Sequence, residues 1–140
     1  MDFITSIKTC ILEKPFTFSG RASRSEYWWF YLFVSLLNLI LSGTGAIGAI
    51  INFSLTVPMI FVSCRRLHDS NLSGWFQLLP LAIALLPLLL FSELSTEFLA
   101  IFFVVAFSLS IYLYCRKGTP GPNRFGDNPL TQKNQCQRKN

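Results

Sequence analysis

Long apolar runs separated by short polar breaks dominate the chain, and they set the elements expected of it. Four runs stand out, at about residues 27–42, 45–64, 74–91 and 98–115. An apolar helix needs roughly 17–25 residues to cross the hydrocarbon core of a bilayer, so each run lies near the short end of what a span requires. Between Tyr27 and Cys64 there is no Lys, Arg, Asp or Glu, and between Asp69 and Arg116 only Glu93 and Glu97 carry charge. A water-soluble helix keeps one polar face, and these runs have none. The pattern predicts an all-α integral membrane bundle of four transmembrane helices.

The residues ahead of the first run follow a different period. Phe3, Ile4, Ile7, Cys10 and Ile11 recur at helical spacing, with Lys8 and Lys14 off that face. This predicts a short amphipathic N-terminal helix over 1–14, lying on the inner leaflet and ended by Pro15. Ser23-Arg24-Ser25-Glu26 reads as a capping box: the Ser23 hydroxyl accepts from the Glu26 amide, and the Glu26 side chain reaches back. Tyr27, Trp28, Trp29 and Tyr31 follow at once, as in an interfacial aromatic belt. No cleavable signal peptide is visible, so the first span is expected to remain in the mature chain. Beyond residue 117 the composition changes to Gly, Pro and Asn turns and then to a polar, basic stretch, which predicts a flexible cytoplasmic tail over 118–140.

Charge placement supplies the orientation. Lys8, Lys14, Arg21 and Arg24 precede the first run, Arg65 and Arg66 lie between the second and third, and Arg116, Lys117, Arg124, Lys133, Arg138 and Lys139 follow the fourth. The connections around 42–44 and 92–97 hold no basic residue. Both termini are therefore expected in the cytoplasm. The net charge of +5 is explained by this topology and by attraction to anionic lipid, so nucleic acid is not an expected partner. Pro58, Pro80 and Pro87 fall within spans, where each removes a backbone donor; Asn38, Asn52 and Gln77 are the amides at membrane depth.

Candidate chemistry is confined to the cytoplasmic edge. One cluster is Arg21, Arg24 and Glu26; the other is Arg65, Arg66, His68 and Asp69, followed by Trp75. Three readings compete. The charges pair with each other, Glu26 and Asp69 neutralising arginines. Alternatively the arginines hold an anionic lipid headgroup or another phosphate. In the third, His68 and Asp69 form an acid–base pair, although neighbours in sequence do not point at one another on a helix. No nucleophile with an oriented base can be named, so the chain is expected not to be an enzyme. Cys10, Cys64, Cys115 and Cys136 are widely spaced and His68 is the only histidine; no metal site and no cofactor is expected.

Taken together, the clusters carry a family likeness. The stretch Phe18-Ser19-Gly20-Arg21-Ala22-Ser23-Arg24-Ser25-Glu26-Tyr27-Trp28 resembles F-x-G-R-x-x-R-x-E-Y-W. Arg65-Arg66-Leu67-His68-Asp69 with Ser73-Gly74-Trp75 resembles R-R-L-H-D-x-x-x-S-G-W. Residues 121–129 resemble a closing G-x-N-x-[FY]-G-x-x-P. These motifs are similar to those of the bacterial inner-membrane family catalogued as domain of unknown function eight-hundred-and-five, also called YhaH-like. The likeness runs from about Pro15 to Pro129 and implies a small multi-pass protein of the bacterial inner membrane, without supplying a mechanism. The expected role is a structural, regulatory or interaction subunit working through its charged cytoplasmic face, with lipid, a protein partner or a second copy as its contacts. The alternative is an oligomeric transporter or channel for a small solute or ion.

Overall fold

The structure, a computed structural model, describes residues 2–90 and 95–131. Residues 91–94, which include Glu93, and the tail beyond residue 131, with Cys136 and the basic residues Lys133, Arg138 and Lys139, lie outside the described residues.

The described residues form helices and no β-strand. Helix α1 spans Phe3–Lys8 and continues as a π-helical turn over Thr9–Glu13. It lies against the next helix, α2 (Arg24–Leu41), with Phe3 edge-on to Trp29 at 5.7 Å and Phe33 at 6.4 Å. The buried face is not quite the one periodicity suggests. Ser6, Thr9 and Cys10 are buried, whereas Ile4 points outward at 78% exposure. These three stand at i, i+3 and i+4, one helical stripe that keeps the expected Cys10 and turns Ile4 away.

Helix α2 begins where the capping sequence expects it. Ser23 is extended and its Oγ accepts from the Glu26 amide at 3.2 Å. The other half of the expected box is not made within the turn, because the Glu26 carboxylate accepts from Arg65 across the bundle. Helix α3 (Gly45–Asp69) carries Pro58 inside it and does not stop at Cys64. It runs on through Arg65-Arg66-Leu67-His68-Asp69, so the charged motif is the last turns of a helix. A 3-10 turn (Gly74–Gln77) leads into α4 (Leu78–Leu90). Pro80 therefore falls in the first turn of α4, where its missing N–H has no helical partner to lose, and only Pro87 lies deeper. Helix α5 spans Thr96–Cys115.

Two helices, α3 and α5, are long and apolar enough to cross a membrane by length and composition. Residues 74–90 form a shorter apolar unit, and α2 begins with Arg24 and Glu26. The distribution of burial is inverted relative to a water-soluble domain. Leu89, Val104, Phe107 and Ile101 are well exposed, while Arg21, Arg65, Arg66, Glu26 and Asp69 are buried. Apolar outer faces of this extent match a lipid surround.

The compact core sits at one end. Cys10, Ala22, Tyr27, Phe30, Val62, Leu67, Leu113 and Tyr114 form one buried cluster joining α1, α2, α3 and α5. Tyr27 stacks on Tyr114 at 4.6 Å, which ties the start of α2 to the end of α5. Aromatic pairs of this geometry contribute about 0.5–1.5 kcal/mol beyond area burial. This core carries the polar site on its outer edge.

Candidate functional site

Five charged side chains meet beneath the polar end of the bundle, and they come from two separate chain segments. Arg21 lies in the extended stretch before α2, Glu26 in its first turn, and Arg65, Arg66 and Asp69 in the last turns of α3. The backbone brings the segments together directly, since the Ala22 amide donates to the Arg65 carbonyl at 3.0 Å.

Asp69 is the centre. Its Oδ1 accepts from Arg21 Nε at 2.9 Å and pairs with Arg21 Nη2 at 2.8 Å. Its Oδ2 accepts from Arg66 Nη1 at 2.5 Å. A second pair joins Arg65 Nη1 to Glu26 Oε1 at 2.8 Å. The three arginine side chains are at most 1% exposed. Burial of charge on this scale is costly unless every charge is paired and the remaining N–H groups are hydrogen-bonded.

Three buried cations face two carboxylates, so one positive charge is left over, and backbone carbonyls take it up. Arg66 Nε donates to Tyr114 O at 3.0 Å and its Nη2 to Arg116 O. These carbonyls close the C-terminus of α5, the end where the helix dipole favours a cation. Arg21 donates from Nη2 to Thr119 O at 2.7 Å and from Nη1 to Gly121 O at 2.6 Å. Arg65 is less well satisfied: Nη2 contacts Cys10 Sγ at 4.0 Å, and its Nε has no partner. Burial, reinforced by the nearby Glu26 carboxylate, pushes the Cys10 thiol up to about 12, so the group beside Arg65 is a neutral thiol.

The segment after α5 is a lid on this network. The Thr119 amide donates to the Asp69 carbonyl at 2.9 Å, and Asn123 Nδ2 donates to His68 O at 2.9 Å. A tight turn closed by reciprocal bonds between Asn123 and Gly126 presents Phe125, which stacks on the His68 ring at 3.8 Å. The expectation of a flexible tail from residue 118 thus meets a first stretch that is hydrogen-bonded onto α3. Gly118 makes the crossing possible: a Cβ there would lie 2.6 Å from Asp69 Cγ.

His68 and Asp69 turn away from each other. Asp69 takes the arginines, while His68 Nδ1 lies 3.3 Å from Gly20 O and Nε2 lies 3.5 Å from Cys64 Sγ. Gly74 packs over Cys64, where a Cβ would collide with the sulfur. The structure thus brings Arg21, Glu26, Arg65, Arg66, His68 and Asp69 into one assembly. It leaves Arg24 exposed at the start of α2 and Trp75 78% exposed. Arg65 and Arg66 face inward, whereas Arg24 and Lys117 are exposed at this end.

Sequence reasoning did not assign Gly118, Thr119, Asn123, Phe125 or the Tyr114 and Arg116 carbonyls to the site. One signal pointed there. The charged clusters hold more arginines than carboxylates, so buried arginines need carbonyl acceptors from elsewhere, and a turn-rich segment supplies them. Among the described residues no group of three or more His, Cys, Asp or Glu side chains is placed to hold a metal ion.

Residues 15–127 match the family described as protein of unknown function (DUF805). The chain is 30% identical over 131 residues to the inner membrane protein YhaH of Escherichia coli (strain K12), covering 85% of this chain and 92% of that one. It is 28% identical over 132 residues to the inner membrane protein YhaI of the same strain, covering 85% and 91%. No solved structure matches.

Proposed function

The chain belongs to the DUF805 family, and on that premise we propose that it is a four-span inner-membrane interaction subunit whose folded cytoplasmic cap is its working surface. The spans are α2, α3, the 74–90 unit and α5, with both ends of the chain on the cytoplasmic side. Placement of the basic residues supports this arrangement, because Arg21, Arg24, Arg65, Arg66, Arg116, Lys117 and Arg124 all fall at the same end of the bundle.

The observation that carries the reading is the internal saturation of the buried clasp that Arg21 and Arg66 form on Asp69. Arg21, Arg66 and Asp69 spend their hydrogen-bonding capacity on each other and on the lid, as a structural cap requires. A catalytic group would need a free face toward substrate. The clasp instead fixes the outer surface formed by residues 117–131 and the start of α2, and that surface is the part another protein can touch. The protein is accordingly read as non-catalytic.

Native mass spectrometry of the chain in discs of native lipid tests this. A stoichiometric protein partner is expected, absent from Asp69→Ala and Arg65→Ala even though both variants insert. A bare homo-oligomer of defined size would overturn the reading and favour transport.

A further inference from the structure

A cavity of about 390 Å³ opens beside the clasp, between the start of α2 and the lid. Arg24 and Lys117 line it from opposite chain segments, with Ser23 and Asn128 between them. Both cationic side chains are exposed, and among the described residues neither has an ion-pair or hydrogen-bond partner. The one carboxylate on the wall, Asp69, is already held by Arg21 on one oxygen and Arg66 on the other. The lining therefore carries Arg21, Arg24 and Lys117 against Asp69, a surplus of two positive charges in a concave polar space. Such a surplus focuses an attractive field for an anion, and the N-terminus of the 18-residue α2 points the same way.

We propose that this cavity binds a phosphate ester through Arg24 and Lys117, and that its source is the headgroup of an anionic phospholipid. The position selects the source. Arg24 stands just before the Tyr27-Trp28-Trp29 belt and Lys117 just after the end of α5, which is headgroup depth in the four-span reading. Leu130, 60% exposed, and Pro129 add an apolar rim suited to the first methylenes of an acyl chain. This inference rests on the membrane placement proposed above. It differs in its residues, since the buried Arg65 and Arg66 have no part in it.

The test uses the full chain in phosphatidylcholine discs with or without phosphatidylglycerol. Retained lipid is read by native mass spectrometry, and glycerol phosphate is titrated into the lipid-neutral discs. One retained phosphatidylglycerol per chain is expected, weakened about 30-fold in Arg24→Gln/Lys117→Gln, since each basic residue at an anionic surface contributes on the order of 1 kcal/mol. Arg124→Gln, whose guanidinium lies over Phe125 outside this cavity, should leave retention unchanged. Glycerol phosphate binding that the double variant loses, without phosphatidylglycerol retention, would overturn the lipid source and assign the site to a soluble phosphate ester. Equal retention in the double variant, or no binding of either probe, would overturn the site itself. Loss of a protein partner in Asp69→Ala reads the cap separately, because the double variant leaves the clasp intact.

Discussion

Replacing Asp69 by Ala is the sharpest perturbation this structure offers. Among the described residues the carboxylate is the only acid that touches Arg21 or Arg66, and its loss leaves two guanidinium groups, 1% and 0% exposed, without a counter-charge there. Removing one partner of a buried ion pair costs about 3–5 kcal/mol, because the remaining charge stays desolvated. The cost should not double here. Arg21 keeps the Thr119 and Gly121 carbonyls, and Arg66 keeps those of Tyr114 and Arg116. An unfolding free energy lower by about 4 kcal/mol is therefore expected, roughly a thousandfold in the folded-to-unfolded ratio. Unfolding by dodecyl sulfate in mixed micelles, followed by tryptophan fluorescence, measures it. Asp69→Asn should fall between, since it restores an acceptor but no charge. Arg21→Ala/Asp69→Ala should cost less than the two single changes added together, because the pair is already broken in either one. A loss below about 1 kcal/mol in Asp69→Ala would match a solvated surface pair and would refute the buried-clasp account.

Three further outcomes follow from other parts of the molecule. Gly118→Ala drives a Cβ into the Asp69 carboxylate and should destabilise by about 1–3 kcal/mol, seen as faster hydrogen exchange at the Thr119 amide; unchanged protection there would count against the lid. In a Cys136→Ser background, N-ethylmaleimide should modify the exposed Cys115 and spare Cys10, which is 1% exposed and whose thiol burial pushes up to about 12; peptide mapping at pH 7 and again at pH 9 reads this, and rapid Cys10 labelling at either pH would be contrary. A cysteine placed at Gly43 should react with an impermeant reagent from the periplasmic side only, and reaction from the cytoplasmic side would remove the four-span arrangement.

The helices were legible because their cause is local. Absence of charge from Tyr27 to Cys64, and the capping Ser23, place α2 and α3 to within a few residues. The extension of α3 to Asp69 was harder to see, because the hydrophobic signal ends at Cys64 while the helix is held by contacts made elsewhere. Those contacts are the Ala22 amide on Arg65 O and the Thr119 amide on Asp69 O. Charge pairing between the two clusters could be anticipated in kind but not in detail. Glu26 looked like a partner for its own N-cap, a contact three residues away, yet it meets Arg65 from the other side of the bundle. The lid was least visible. Its Gly-Pro-Asn turns have the composition of loose chain, and what orders them is a set of buried arginine N–H groups about 100 residues away that cannot be left unpaired.

That separation has a consequence for how the protein is made. Arg21 leaves the ribosome 100 residues ahead of Gly121, the last carbonyl it will hold. At about 5–20 residues per second the interval is roughly 5–20 s. Throughout it, Arg21 lacks its later carbonyl acceptors and stays open to water. That is the state in which basic residues are retained on the cytoplasmic side during insertion. In the four-span topology proposed above, the Arg21 guanidinium thus serves in turn as a topological signal for the translocation machinery and as a buried fastener, and synthesis of residues 118–121 marks the handover.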